Sequence, residues 1–105
     1  MSRVQLAINV DNLDEAMKFY SSIFQTKPDK IRPGYANYAI EDPPLKLVLF
    51  EKPGKGGGIN HLGVEVETVE EVREVQNRLS RTEVETTSIE TTECCYSEKT
   101  EIWAT

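Results

Sequence analysis

Two stretches of the sequence alternate between apolar residues and polar or small ones. In residues 4–10 the positions of Leu6, Ile8 and Val10 are apolar, and residues 60–66 repeat the pattern. Successive side chains of a β-strand point to opposite faces of the sheet, so an alternation of period two predicts a half-buried strand. Each stretch is therefore predicted to be a strand with one apolar face and one face of polar or small side chains.

A helix is predicted directly after each of these strands. Asn12 with Glu15, and Thr68 with Glu71, have the spacing of a capping box, which satisfies the first backbone amides of a helix. Apolar residues then recur at the spacing of one helix face. In the first helix they are Leu13, Ala16, Met17, Tyr20 and Phe24, and in the second they are Val69, Val72, Val75 and Leu79.

The two strand-helix units align in the sequence at one constant offset, so that Gln5 aligns with His61 and Asn12 aligns with Thr68. A repeat at a fixed offset usually defines the architecture of a chain. Further strands are predicted from runs of β-branched and aromatic residues that turn residues separate. These strands are residues 34–41 and 45–50 in the first half, and residues 83–92 and 100–105 in the second.

The predicted fold is an α+β class with two tandem modules. The first module spans residues 1–52, a Gly-rich linker spans 53–58, and the second module spans 59–105. The linker lacks the Gly-Lys-Ser/Thr ending of a phosphate-binding loop and is predicted to be a flexible connector. By analogy with the first module, the second should have one more strand, which is missing before Thr105.

Composition and charge narrow the possible functions. A chain of 105 residues suits one compact domain or two very small ones, and no stretch approaches the roughly 20 apolar residues that a membrane span needs. The net charge of −6 argues against a nucleic-acid partner. The N-terminus does not resemble a secretion signal. We therefore expect a soluble cytoplasmic protein without a membrane partner, either a monomer or a homodimer.

His61 is the only histidine, and the repeat aligns it with Gln5. Both residues are assigned to the polar faces of two equivalent strands. If the halves pair about a pseudo-twofold axis, both side chains point into one cavity. An imidazole and an amide oxygen suit iron or manganese, so a metal site is predicted. A histidine that only satisfies hydrogen bonds is the alternative. A catalytic metal site also needs a third ligand, and Glu65 lies too far along the strand to provide it.

The only two cysteines, Cys94 and Cys95, are adjacent. Neighbouring residues of a regular strand point to opposite faces, so both thiols can bind one ligand only in a loop or at a bulge. The polar residues on either side favour a mobile loop. Paired thiolates suit a soft, thiophilic centre, whereas one buried and one exposed inert thiol is the alternative.

Several segments, together with the cysteine pair, resemble the arsenic- and cadmium-inducible branch of the glyoxalase/bleomycin resistance/dioxygenase superfamily, also called the vicinal oxygen chelate superfamily. The most specific are Pro-Pro-Leu-Lys-Leu-Val-Leu at 43–49 and His-Leu-Gly-Val-Glu at 61–65. Val-Gln-Leu-Ala-Ile-Asn-Val at 4–10 and Gly-Tyr-Ala-Asn-Tyr-Ala-Ile at 34–40 also match. The resemblance spans the chain and implies two βαβββ modules whose curved mixed sheets enclose an Fe(II) site.

The resemblance also implies an activity, the cleavage of the carbon-arsenic bond of trivalent organoarsenicals with dioxygen as co-substrate. Residue by residue, Gln5 and His61 match the first two metal ligands of the family, and Cys94 and Cys95 match its arsenic-binding thiols. The third ligand of the family is a glutamate on the last strand. It is expected beyond Thr105.

Three functions remain open from the sequence. The first is an Fe(II)-dependent dioxygenase or lyase that releases arsenite from methyl or aryl arsenicals. The second is a resistance protein that sequesters As(III), Cd(II) or a small molecule without turnover. The third is a glyoxalase-type isomerase, a chemistry that has no evident use for paired thiols.

Overall fold

The computed structural model of the protein describes residues 2–82, Thr86 and, for the backbone, residues 90–94 and 97–101. These residues belong to two compact units, of which one is Ser2–Glu65 and the other begins at Val66. No helix among them is long and apolar enough to cross a membrane.

The first unit is a five-stranded mixed sheet with one helix. Its elements are β1 (Arg3–Val10), α1 (Leu13–Phe24), β2 (Lys30–Arg32), β3 (Tyr35–Ile40), β4 (Leu45–Glu51) and β5 (Ile59–Glu65). Its strands lie in the order β2-β3-β4-β1-β5, with β1 parallel to β4 and antiparallel to β5. The parallel pair is possible because α1 and two further strands connect β1 to β4.

The second unit contains one helix and a two-stranded antiparallel sheet. α2 (Val69–Leu79) is followed by β6 (Glu90–Cys94) and β7 (Ser97–Glu101), and Cys94 pairs with Ser97. As predicted, Thr68 caps α2, because its Oγ accepts a hydrogen bond of 3.1 Å from the backbone N–H of Glu71.

Helix α1 is capped at both ends by the residues that flank it. The Oδ1 atom of Asn12 accepts a hydrogen bond of 3.0 Å from the backbone N–H of Glu15, as the capping box predicts. At the other end, Gln25 adopts a left-handed conformation with φ of 50°. Its backbone N–H donates a hydrogen bond to the backbone carbonyl of Ser21. These two caps fix the length of the helix.

The core lies between α1 and one face of the sheet. Tyr38 and Leu49 are fully buried there, and the predicted apolar stripe of the helix packs against them. The hydroxyl of Tyr38 donates to the carbonyl of Met17 at 3.0 Å and accepts from the Ser21 hydroxyl at 2.8 Å. The helix thus covers one face of the sheet, which leaves the other face for the site.

The predicted α+β class is confirmed. The first module has the order βαβββ, and the described part of the second has the order βαββ. The sequence did not predict β2, since its three residues form a short edge strand with Ile31 exposed. The division into modules at 53–58 stays a prediction. In the structure β5 hydrogen-bonds to β1 and lies in the compact unit that ends at Glu65.

The expectation of a loop around the cysteines is wrong for the residues that flank them. Residues 91–93 and 97–99 are paired in β6 and β7, where the β-branched threonines favour a strand. Of the predicted strand at 83–92, the described part contains the start of β6, and Thr86 in a bridge. The predicted strand at 100–105 begins three residues earlier, at Ser97. Residues 102–105 lie outside the described part of the chain.

Candidate metal site

Gln5 and His61 meet on the face of the sheet opposite α1. They lie on β1 and β5, and their Nε2 atoms are 3.4 Å apart. Gln5 is 9% exposed, whereas His61 is half-buried. The period-two alternation places both side chains on this face, as the sequence predicted. The structure therefore brings together the two predicted ligands, and their role in binding a metal remains a prediction.

Two small residues flank the pair. In the antiparallel register, Gln5 is opposite Gly63 and Ala7 is opposite His61. Gln5 and His61 thus occupy one diagonal of a four-residue square, and Ala7 and Gly63 occupy the other. An added Cβ at Gly63 would meet no atom within 4 Å. Because Ala7 and Gly63 are small, open space remains beside the side chains of Gln5 and His61.

A β-bulge in β5 adds a third polar residue to this face. Ala7 pairs with His61, but the next pair is Ile8 with Ile59, so that Asn60 is an extra residue. The Oδ1 atom of Asn60 lies 2.9 Å from His61 Nδ1. Its Nδ2 atom donates a hydrogen bond of 3.1 Å to Oδ1 of Asn9 on β1.

Aromatic side chains form the wall of the site on β4 and β3. The ring of Phe50 has its centroid 6.4 Å from the imidazole of His61 and 5.5 Å from the ring of Tyr35. Tyr35 is buried, and its hydroxyl accepts a hydrogen bond of 2.8 Å from the Asn37 amide. One side of the imidazole therefore faces an apolar surface.

A charged cluster lies on the same face, toward the start of β1. Glu65 accepts hydrogen bonds from Arg3 at 2.6 Å and from Lys46 at 3.1 Å. Burial alone would raise the pKa of the Glu65 carboxyl, but the hydrogen bonds from Arg3 and Lys46 and their positive charges outweigh it and lower this pKa. Glu65 is thus a partner of two cations, which agrees with its exclusion as a metal ligand on the basis of distance.

The described residues test neither the predicted arsenic-binding thiols nor a third metal ligand. The backbone of Cys94 ends β6, and Cys95 lies outside the described residues. The predicted arsenic-binding thiols therefore remain a prediction. Within the described part of the chain, no three His, Cys, Asp or Glu side chains cluster in a way that could hold a metal ion.

Sequence reasoning missed Asn60 and the cations that contact Glu65. Asn60 lies outside the period-two pattern because the bulge changes the pattern by one residue, and its only nearby signal is the run of three glycines before Ile59. Arg3 and Lys46 approach Glu65 through strand register. A sequence pattern does not supply that register.

Comparison with known proteins shows which family model and which relatives the chain matches. The family model for the glyoxalase/bleomycin resistance protein/dioxygenase superfamily matches residues 3–100. "Cadmium-induced protein CadI" of Mycobacterium tuberculosis is 51% identical over 105 residues, which are 100% of this chain and 69% of that protein. A "Trivalent organoarsenical cleaving enzyme" of Thermomonospora curvata is 47% identical over 106 aligned residues, covering 100% of this chain and 70% of that protein.

A solved structure supports the same fold. The crystal structure titled NAD-dependent benzaldehyde dehydrogenase from Legionella pneumophila superposes with a TM-score of 0.56 at 21% identity. The superposition covers 92% of this chain and 85% of that one. The likeness concerns the fold alone. From the family model and the curated relatives together, this chain belongs to the glyoxalase/bleomycin resistance protein/dioxygenase superfamily.

Proposed function

We propose that the protein cleaves the carbon-arsenic bond of trivalent methyl or aryl arsenicals at an Fe(II) site that includes Gln5 and His61. The observation that carries the proposal is the meeting of these two side chains, 3.4 Å apart, from repeat-related positions on one face of the sheet. The relative named "Trivalent organoarsenical cleaving enzyme" supports the choice of substrate class.

The donor set fits a divalent iron ion. The imidazole of His61 offers a nitrogen, and the amide of Gln5 offers Oε1 after a rotation about its last side-chain bond, since its Nε2 now faces the imidazole. The third ligand in the proposal is the glutamate that the resemblance implies beyond Thr105. When bound, Fe(II) supplies the activation of dioxygen for the oxidative cleavage.

The chain itself binds and positions the substrate. In the proposal, Cys94 and Cys95 each form a bond from sulfur to the arsenic of a dihydroxy arsenical, and each thiol proton leaves with one arsenic hydroxyl as water. Fixing the arsenic in this way turns a rare encounter into a positioned reaction. Phe50 lies beside the His61 imidazole, and Tyr35 packs against Phe50, so this aromatic surface would limit the access of water to one side of the ring.

The test is a single-turnover assay under controlled oxygen. The protein is loaded with Fe(II) without oxygen, mixed with reduced methyl arsenical and then exposed to oxygen. We expect release of inorganic arsenite together with oxygen uptake. His61→Ala and Cys94→Ser should abolish both, whereas Ser22→Ala, at an exposed position on α1, should leave both unchanged. Absence of arsenite and of oxygen uptake, under conditions in which the Thermomonospora curvata relative releases arsenite, would contradict the proposal.

A second candidate function is sequestration of As(III) or Cd(II) without turnover. It is favoured by the name of the Mycobacterium tuberculosis relative, "Cadmium-induced protein CadI". This candidate predicts stoichiometric binding of arsenical or Cd(II) that is lost in Cys94→Ser and in Cys95→Ser, with no arsenite formed in oxygen. Turnover in the assay above decides against it, and so does retention of affinity in both cysteine variants.

A further inference from the structure

The bulge in β5 creates a chain of side-chain amides that ends at His61. In a regular strand, Asn60 and His61 would point to opposite faces. The extra residue instead lets Asn60 Oδ1 approach His61 Nδ1 to 2.9 Å. Bulges of this kind redirect a side chain beside functional sites.

The orientation of the Asn60 amide favours one direction for each hydrogen bond in this chain. Asn60 Nδ2 donates to Oδ1 of Asn9, so Asn60 turns its own carbonyl oxygen toward the imidazole. A carbonyl oxygen can only accept, so this contact is a hydrogen bond when His61 Nδ1 carries the proton and donates. From this geometry we propose that Asn60, anchored by Asn9, is a positioning residue that sets the tautomer of His61.

The opposite side of the ring supports the same tautomer. Gln5 Nε2 is a donor without an acceptor lone pair, so the His61 Nε2 that it contacts at 3.4 Å must accept. An imidazole with its proton on Nδ1 has its lone pair on Nε2. Imidazole side chains in water favour the reverse tautomer, with the proton on Nε2. The protein environment therefore holds His61 in the form that it adopts less readily in solution.

This arrangement prepares Nε2 to bind a metal. The inference rests on the proposed function in taking Nε2 as the ligand atom, and the tautomer itself does not depend on that function. A hydrogen-bond acceptor on the second nitrogen orients a ligating histidine and raises its basicity, and its loss typically lowers metal affinity by roughly 10- to 100-fold. We expect Asn60→Ala to reduce Fe(II) affinity within that range.

The test uses the fact that His61 is the only histidine. Protein with ¹⁵N-labelled histidine is examined by NMR without metal, at a pH of about 8.5, where an ordinary imidazole is neutral. The two ring-nitrogen shifts report which atom carries the proton. Wild-type protein should show the proton mainly on Nδ1, and Asn60→Ala should move it mainly to Nε2. Asn60→Asp should keep it on Nδ1, because a carboxylate also accepts a hydrogen bond from that atom.

Two further variants make the result specific. Asn9→Leu removes the acceptor that orients the Asn60 amide and should shift the tautomer partly toward Nε2. Asn77→Ala, a control on α2, should leave the tautomer as in wild type. If Asn60→Ala does not fold, the wild-type spectrum together with Asn60→Asp and Asn9→Leu decides the question. A proton on Nε2 in wild type, or no change in Asn60→Ala and Asn9→Leu, overturns the inference.

Fe(II) titration of the same samples separates this inference from the proposed function. If wild type binds Fe(II) and Asn60→Ala binds it equally well, the inference fails and the metal site stands. If the tautomer shifts as expected but wild type binds no Fe(II), the proposed function fails and the role of Asn60 in setting the tautomer stands.

Discussion

Gln5 and His61 are diagonal neighbours across an antiparallel strand pair, whose dyad passes through the directly opposed Leu6 and Leu62. Leu6 and Leu62 are themselves equivalent in the sequence repeat, so the local symmetry of β1 and β5 is the symmetry of the repeat. The same dyad relates Ala7 to Gly63. Duplication therefore supplies two polar side chains on one diagonal and two small residues on the other.

The small residues Ala7 and Gly63 leave space beside the site, and a larger side chain at Gly63 should weaken metal binding. Gly63→Val should fold, since an added Cβ meets no atom within 4 Å and β-branched residues favour strands. We expect the free energy of unfolding to stay the same or rise by up to about 1 kcal/mol. Fe(II) affinity should fall at least tenfold, because the new methyl groups occupy the space beside Gln5. Urea unfolding and Fe(II) titration measure the two effects.

A control for this variant lies on the same strand. Leu62 is 66% exposed, and alternation directs it to the opposite face of the sheet. Leu62→Val adds β-branching without touching the site and should leave Fe(II) affinity unchanged. If Gly63→Val binds Fe(II) as wild type does, the open space beside Gln5 is not part of the metal site.

Glu65 predicts a pH-dependent contribution to stability. Its pKa in the folded protein is lowered, so its ion pairs stabilise the fold above the ordinary glutamate pKa, and this stabilisation is lost as pH falls through the lowered value. Glu65→Gln should reduce the free energy of unfolding by about 1 kcal/mol at pH 7. The difference from wild type should shrink as the pH falls below the ordinary glutamate pKa and through the lowered pKa of the Glu65 carboxyl.

Urea unfolding of wild type and variant at matched pH values measures this difference. Glu41→Gln, at the exposed position that follows β3, serves as the control and should change the free energy of unfolding little. A Glu65→Gln difference that is constant from pH 7 to pH 3 would mean that the pairs with Arg3 and Lys46 do not stabilise the fold.

Periodicity and the repeat predicted much of this fold because each fixes a local property. The alternation assigned Gln5 and His61 to polar faces, and the repeat made those faces equivalent, so their approach followed once the two strands paired. The caps of both helices followed from side chains within three residues of each other. Such features depend on short stretches of chain and are visible in the sequence.

The remaining features depend on register and on local departures from the pattern. Asn60 joins the site through one extra residue in β5, which changes the alternation by a single position. Lys46 reaches Glu65 because β4 and β5 flank the same strand, β1. Polar composition suggested a loop beside the cysteines, but pairing of threonine-rich strands overrides it. No pattern of hydrophobic and polar residues specifies these pairings.

The buried hydroxyl of Tyr38 predicts a cost for its removal. Tyr38 is 0% exposed and links two residues of α1 by donating to the Met17 carbonyl and accepting from Ser21. Tyr38→Phe keeps the ring but leaves those groups without this partner, so we expect a loss of roughly 1–2 kcal/mol in the free energy of unfolding. Tyr20→Phe, in a half-buried residue of the same helix, should cost less. Equal costs in urea unfolding would contradict the prediction.

The turn before β5 allows a sharper test, because one carboxylate organises it. Asp11 Oδ1 accepts from the backbone N–H of Gly54 at 2.8 Å and of Gly56 at 3.0 Å. A Cβ added at Gly56 would lie 2.6 Å from Asp11 Oδ2, so Gly56→Ala should displace the carboxylate. We expect both Gly56→Ala and Asp11→Ala to destabilise the protein by about 1 kcal/mol.

The losses of stability in Gly56→Ala and Asp11→Ala should not be additive. Once Asp11→Ala has removed the carboxylate, the new methyl group at position 56 loses the nearest atoms that it would meet. The double variant should therefore be no less stable than Asp11→Ala alone, which gives a coupling energy of about 1 kcal/mol in a double-mutant cycle. Urea unfolding of the four proteins measures it. Additive losses would mean that Gly56→Ala acts on the backbone of the turn itself, independently of Asp11.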